Sequence, residues 1–227
     1  MALLILAAAV WMTIHWLGPW HLRPLLAPRL GEIGYLGLFT LLSLGAMTGL
    51  ILGYRAAPHD ELLWGPYLWL RPPCAVLIGF GFALIALGTT PDNPTAGNPE
   101  HLVEVGALPV RGVTRITRHP VMVGIALWAV AHLLMNGHTA GLVLFGTLLA
   151  TAVRGMVSLD HKTRLKVGDT AWRNFAAATS RMPFGAISAG RTGLKLGELS
   201  PLRTGIGLGL FAAALWLHQT VIGLPPL

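Results

Sequence analysis

Charge is scarce in this chain. Only 11% of its 227 residues are Asp, Glu, Lys or Arg, and nine are acidic. A soluble domain carries about 25% charged residues, so a water-facing globule is excluded. Cysteine is nearly absent too. Cys74 stands alone, which rules out an intrachain disulfide framework and a zinc site built on cysteine pairs. In its apolar setting it reads as a small packed hydrophobe. What the chain has instead is apolar surface, with 54% hydrophobic residues and a mean hydropathy of +0.64. That composition excludes disorder. The formal net charge of +7 would suggest nucleic acid for a soluble protein. In a chain this apolar, excess Lys/Arg marks cytoplasmic loops, so the expected partner is the lipid bilayer and not nucleic acid.

A spanning helix needs about 20 mostly apolar residues. Six stretches qualify: 1–19, 34–54, 73–90, 120–136, 139–157 and 203–222. The first has no basic n-region and no small-residue cleavage site, so it is expected to be retained as a span. The fold class predicted is an all-α polytopic membrane bundle, one domain over 1–227, with about six transmembrane helices. Segment 158–202 mixes basic residues with Leu159, Leu165, Val167, Trp172 and Phe175. It is predicted to contribute an amphipathic helix on the cytoplasmic leaflet, with a solvated charged loop as the alternative. Gly185 to Gly197 reads as connection. Loops after the first, third and fifth spans, the last counted from Arg154 to Arg203 so as to include the flanking span ends, hold 14 of the 16 Lys/Arg. The positive-inside rule puts those loops in the cytoplasm and both termini outside.

Ionisable side chains among lipid tails are costly and usually mark a site. His15 lies in the first span, His132 in the fourth, Arg118 and His119 at the entrance to the fourth, and His218 near the end of the sixth. Trp11 precedes His15 by four residues and Trp128 precedes His132 by four, so each histidine shares a helix face with an indole. Gly124 continues the second stripe and leaves room for a flat group. Two imidazoles on separate helices, walled by tryptophan, suit a haem iron. The alternative is that each histidine bonds a neighbouring helix and fixes packing. His15 and His132 differ in height by about 10 Å at ~1.5 Å per residue, which leaves His119 as the rival partner for His15. Pro120 suits a first helical turn. Arg115 and Arg118, three residues apart, either snorkel at the interface or hold an anion such as a propionate. His21, His59, His101, His138 and His161 are assigned to loops with no role.

The run Arg115-Ile116-Thr117-Arg118-His119-Pro120, continued by Gly124, Trp128, His132 and Asn136-Gly137, resembles the signature of the NnrU family of membrane proteins. His15, Arg29 to Glu32, Gly53-Tyr54, Asn93-Pro94 and Thr179 to Phe184 extend the likeness over nearly the whole chain. Relatives of that family include the plant and bacterial 15-cis-ζ-carotene isomerases. The resemblance implies a helical bundle of the bacterial inner membrane. In the isomerase branch it implies haem b with two axial histidines, carried here onto His15 and His132. That branch has a cysteine three residues before the second ligand, where this chain has Ala129. The expectation is therefore a redox-linked haem protein or an isomerase of an apolar, carotenoid-like substrate. NnrU proteins are also associated with denitrification, which implies a non-catalytic factor as one alternative. A more distant likeness, through Arg118-His119-Pro120, Gly124 and Asp160 to Pro183, is to membrane methyltransferases that use S-adenosylmethionine. Those carry a tyrosine where Met122 stands and a glutamate pair where Asp160-His161 stands.

Overall fold

The computed structural model describes residues 1–90, 93–96, 99–103 and 107–223, and is built from helices. An isolated antiparallel bridge pairs Leu62 with His138. The chain divides into two compact units, Met1–Leu68 with His132–Thr151, and Trp69–Ala131 with Ala152–Leu227.

The first unit starts with α1 (Ala2–Leu17), a π-type turn at Gly18–Leu22, and α2 (Arg23–Arg55). Pro19 and Pro24 sit at helix starts, where a missing N–H costs nothing, while Pro28 and Gly31 break the regular course of α2. Gly31 has φ 72° and ψ 164°, a conformation that side-chain-bearing residues rarely adopt. The chain thereby doubles back, and α1 lies against α2. A Cβ on Gly53 would stand 2.7 Å from Leu4 Cα, so that helix contact requires glycine. Leu4 and Leu50 are completely buried along this seam. The Tyr35 hydroxyl donates to the Gly18 carbonyl at 3.0 Å and ties the turn down. Small residues that let backbones approach are how helices associate in lipid.

In the second unit α3 (Arg71–Gly88) opens on Pro72 and Pro73, and α4 (Pro120–Met135) opens on a fully buried Pro120. They meet at Gly81 and Gly124, where a Cβ on Gly81 would lie 2.9 Å from the Gly124 carbonyl oxygen. The fifth helix, α5 (Thr139–Val167), runs past its apolar stretch into polar sequence and ends at Gly168, φ 84°. It is followed by α6 (Asp169–Ala178), a single turn α7 (Gly185–Ser188), and α8 (Pro201–Ile222). Ser200 caps α8 by accepting from the Arg203 backbone N–H at 3.3 Å, and Gly207 of α8 meets Ala83 of α3. Two apolar clusters fill this unit: Leu84, Leu87, Val113, Ile116 and Val123, then Leu102, Leu108, Trp172 and Phe175.

All six expected spans are helical. Four runs are long and apolar enough to cross a bilayer, Ala2–Arg55, Leu68–Gly88, Thr139–Val167 and Pro201–Ile222, with Pro120–Met135 a shorter apolar helix. A run of 54 residues would stretch about 80 Å if straight, and the reversal after α1 makes two passes of it. This is a multi-pass membrane protein with an all-helical bundle fold. The amphipathic helix is present as α6, but its apolar face meets the chain itself. Trp172 and Phe175 are 8% and 1% exposed because Leu102 and Leu108 cover them. Nor is the stretch after Gly185 simple connection, since Ala186 is fully buried and Arg191 donates to the carbonyls of Ala177 and Thr179.

Candidate functional site

In the first unit, α1 puts Trp11 and His15 on one face. Their rings stack with centroids 3.9 Å apart and 24° between planes, and Phe39 meets His15 edge-on at 5.4 Å. Trp11 is fixed in turn by its indole N–H, which donates to Thr151 Oγ1 at 3.0 Å. His15 Nδ1 lies 2.9 Å from the Trp11 carbonyl oxygen. A carbonyl only accepts, so Nδ1 carries the proton and Nε2 holds the lone pair. A backbone hydrogen bond on one imidazole nitrogen is the arrangement that orients the other for a metal. His132, on the last turn of α4, has Phe145 as its ring neighbour at 4.9 Å. The two histidines thus share a unit, each against its own phenylalanine.

Sequence reasoning passed over His59 and His138, which the structure brings together. His138 is 8% exposed, and its ring stands 4.5 Å from that of His59 and 5.8 Å from that of Tyr54. Its Nδ1 accepts from the Gly141 backbone N–H at 2.9 Å, so it caps the start of α5. Its place just before Thr139, the first residue of that helix, was the available signal, although serine, threonine and aspartate are the usual caps.

The second unit gathers a denser polar cluster around Asp160. Arg118 donates to both carboxylate oxygens, Nε to Oδ1 at 2.9 Å and Nη2 to Oδ2 at 3.0 Å. Arg181 Nε donates to Oδ2 at 2.6 Å, and His119 Nε2 to Oδ1 at 2.6 Å. The Arg118 guanidinium also lies over the Trp172 ring at 5.7 Å. Segment 115–120 is held in place from both sides. The Arg118 backbone N–H donates to Ser180 O, and the Thr95 hydroxyl donates to Arg118 O. Burial pulls the His119 imidazole below its ordinary pKa, against the upward pull of Asp160, and the nearby Arg118 and Arg181 reinforce the lowering. Two guanidiniums against one carboxylate already leave the cluster with net charge +1, so a further proton is disfavoured.

Arg115 does not join this cluster. Its Nε and Nη2 donate to Glu198 at 2.7 and 3.0 Å, and Nη1 donates to Thr192 at 2.9 Å. Arg115 first, then the Gly112 N–H, hold the Glu198 carboxyl down to about 2. Each arginine thus has its own carboxylate, because residues 112–115 form a single 3-10 turn that does not continue to Arg118. Gly124 keeps no face open for a flat group either, since the α3 backbone at Gly81 fills it. Asp160 is the site residue that sequence reasoning undervalued. Its rarity was the signal: an acidic side chain close behind an apolar span, in a chain with nine.

The described residues contain no group of three or more His, Cys, Asp or Glu arranged to hold a metal ion. A haem iron held by two axial imidazoles needs no such group. The His15 donor chemistry fits that role, with a half-buried ring whose Nδ1–H is bonded to backbone and whose Nε2 is unprotonated.

Two relatives carry the name 15-cis-zeta-carotene isomerase, chloroplastic. The Zea mays and Arabidopsis thaliana proteins are each 36% identical over 80 residues, covering 35% of this chain and 22% of their own length. The match therefore spans about a fifth of those plant proteins. No solved structure matches the chain. The NnrU protein family matches residues 3–226. A match from the first helix to the last, on a multi-pass helical bundle, means that this chain belongs to the NnrU family.

Proposed function

We propose that this protein is a haem-b membrane protein in which His15 and His132 would hold the iron, and which isomerises a cis double bond in an apolar, carotenoid-like polyene. The observation that carries the reading is the tautomer of His15. Its Nδ1–H is spent on the Trp11 carbonyl, leaving Nε2 as a lone-pair donor in an aromatic surround. His132 would supply the second imidazole from α4, in the same unit. Bound haem b would supply a redox-active iron beside the substrate.

The chain's own contribution is orientation and exclusion of water. Thr151 anchors Trp11, Trp11 stacks on His15, and Phe39 meets His15 edge-on. His15 and His132 would hold the iron, and the apolar helices around them would admit a hydrocarbon substrate and keep water out. Ala129, fully buried, provides no thiolate as a further ligand. The substrate class is supported by the names of the two plant relatives, and entry from the bilayer by the apolar helices. The Lys/Arg distribution supports an orientation with both termini on the outer side, periplasmic if the membrane is a bacterial inner membrane. The test is incubation of the purified, dithionite-reduced, haem-loaded protein with 15-cis-ζ-carotene in micelles. Chromatography is expected to show loss of the 15-cis form beyond that in protein-free micelles. Equal conversion with and without protein overturns the isomerase reading.

A further inference from the structure

Gly207 of α8 meets Ala83 of α3, and Phe211 meets Gly79, so the two helices run antiparallel. The start of α8 therefore lies at the end of α3. A cavity of about 430 Å³ opens at that level in the second unit. Leu87 and Val113 give it apolar wall, and Thr90, Arg111, Glu198 and Arg203 give it polar wall. The Glu198 carboxylate is already answered. Arg115 donates to both of its oxygens, the Gly112 N–H donates to one, and Lys195 Nζ stands 3.7 Å away.

Arg203 is different. Its Nη1 donates to the Thr89 carbonyl at 3.3 Å, and among the described residues it meets no carboxylate. A guanidinium carries further N–H donors and no acceptor. Those of Arg203 reach solvent from a half-buried side chain, as does the Thr90 hydroxyl. A snorkelling arginine stretches towards water, whereas this one is turned onto the end of α3. Cationic and hydroxyl groups thus come to the wall from three separate segments, at Thr90, Arg111 and Arg203. A phosphate accepts from several sides, while a carboxylate accepts mainly in its own plane.

The surface beside Arg203 decides the source of that phosphate. Leu202 and Ile206 are 74% and 50% exposed, and a four-residue spacing puts them on one face of α8. That apolar face starts next to Arg203 and continues along a helix long enough to cross a bilayer. A basic pocket at the ends of spanning helices is where lipid headgroups are held.

We propose that this cavity binds the phosphate head of an anionic glycerophospholipid. Arg203 and the Thr90 hydroxyl donate to the phosphate oxygens, and the hydrocarbon chains follow Leu202 and Ile206 along α8. The site is separate from His15 and His132 and stands whether or not haem is bound.

The experiment is native mass spectrometry of the full-length protein in dodecyl maltoside, titrated with dioleoylphosphatidylglycerol. A single lipid is expected to be retained saturably, whereas dioleoylglycerol, which lacks the phosphate, is not. Millimolar inorganic phosphate is expected to leave the lipid in place. Arg203→Gln is expected to weaken retention about tenfold, the loss of one charge-assisted contact. Arg173→Gln removes an equal charge from the exposed face of α6 and is expected to change retention by less than about twofold. No saturable retention, equal retention of dioleoylglycerol, displacement by inorganic phosphate, or equal effects of R203Q and R173Q overturn the proposal. The wild-type titrations decide the matter if R203Q does not fold.

Discussion

Asp160 accepts from three side chains at once, and its value depends on all of them staying in place. Its carboxylate is 8% exposed and Arg118 is 11% exposed, whereas Arg181 is nearly half exposed. Removing one partner of a buried ion pair costs about 3–5 kcal/mol, because the other charge is left unpaired. Asp160→Asn is expected to approach that loss in thermal unfolding of the detergent-solubilised protein. Arg164→Ala breaks a bidentate pair to Asp169 with both partners about half exposed, and exposed pairs contribute little. Equal losses from the two variants would contradict the burial argument. His119 adds a pH dependence. Its folded pKa lies below the ordinary 6.5, so the unfolded chain takes up a proton below about 6.5 that the folded chain refuses. Stability is complete above that pH and falls as pH drops through the folded value. Glu198, held at about 2 against an ordinary 4.5, has the same sign: its contribution is lost as pH falls from 4.5. Melting temperature between pH 8 and 5 should decline in the wild type and decline less in His119→Gln. A wild type that gains stability on acidification would refute this assignment. At this scale the sequence made Arg118 and His119 visible as ionisable residues at the entrance to a span. It did not show that they share Asp160, because a partner 41 residues away leaves no periodic trace.

Among the elements, close helix contact decides which glycines matter. A Cβ on Gly53 would meet the Leu4 backbone at 2.7 Å, whereas one on Gly45, two turns earlier on α2, would meet nothing within 4 Å. Gly53→Ala is therefore expected to lower the melting temperature by forcing α1 away. Gly45→Ala should leave it unchanged or raise it, since alanine is favoured over glycine in a helix by up to about 1 kcal/mol. Matching losses from both would place the α1–α2 contact elsewhere. Every span was legible from apolar run length alone, because a bilayer demands about 20 residues whatever their order. The fate of α6 was not. A 3.6-residue stripe containing Trp172 and Phe175 looks the same whether lipid or protein covers it. The cover comes from Leu102 and Leu108, in a loop with no regular pattern of its own. The Arg115–Arg118 face failed for a related reason: residues 112–115 make one 3-10 turn, and a three-residue spacing pairs side chains only on a continuing helix.

Across the whole molecule, an NnrU-family membrane bundle holds two histidine environments of different character. His15 lies within a span, with its Nδ1 bonded to backbone; His119 lies fully buried beside a span, with its Nε2 bonded to carboxylate. Only the first belongs to the haem reading. The most direct measurement is the visible spectrum of protein produced with ample haem, oxidised and reduced, beside His15→Ala and His132→Ala. A Soret band and sharp low-spin reduced bands are expected in the wild type. Each variant should lose that low-spin signature or the haem itself, with unfolding checked by circular dichroism. A folded wild type with no Soret band, or variants whose spectra match it, would contradict haem ligation by this pair.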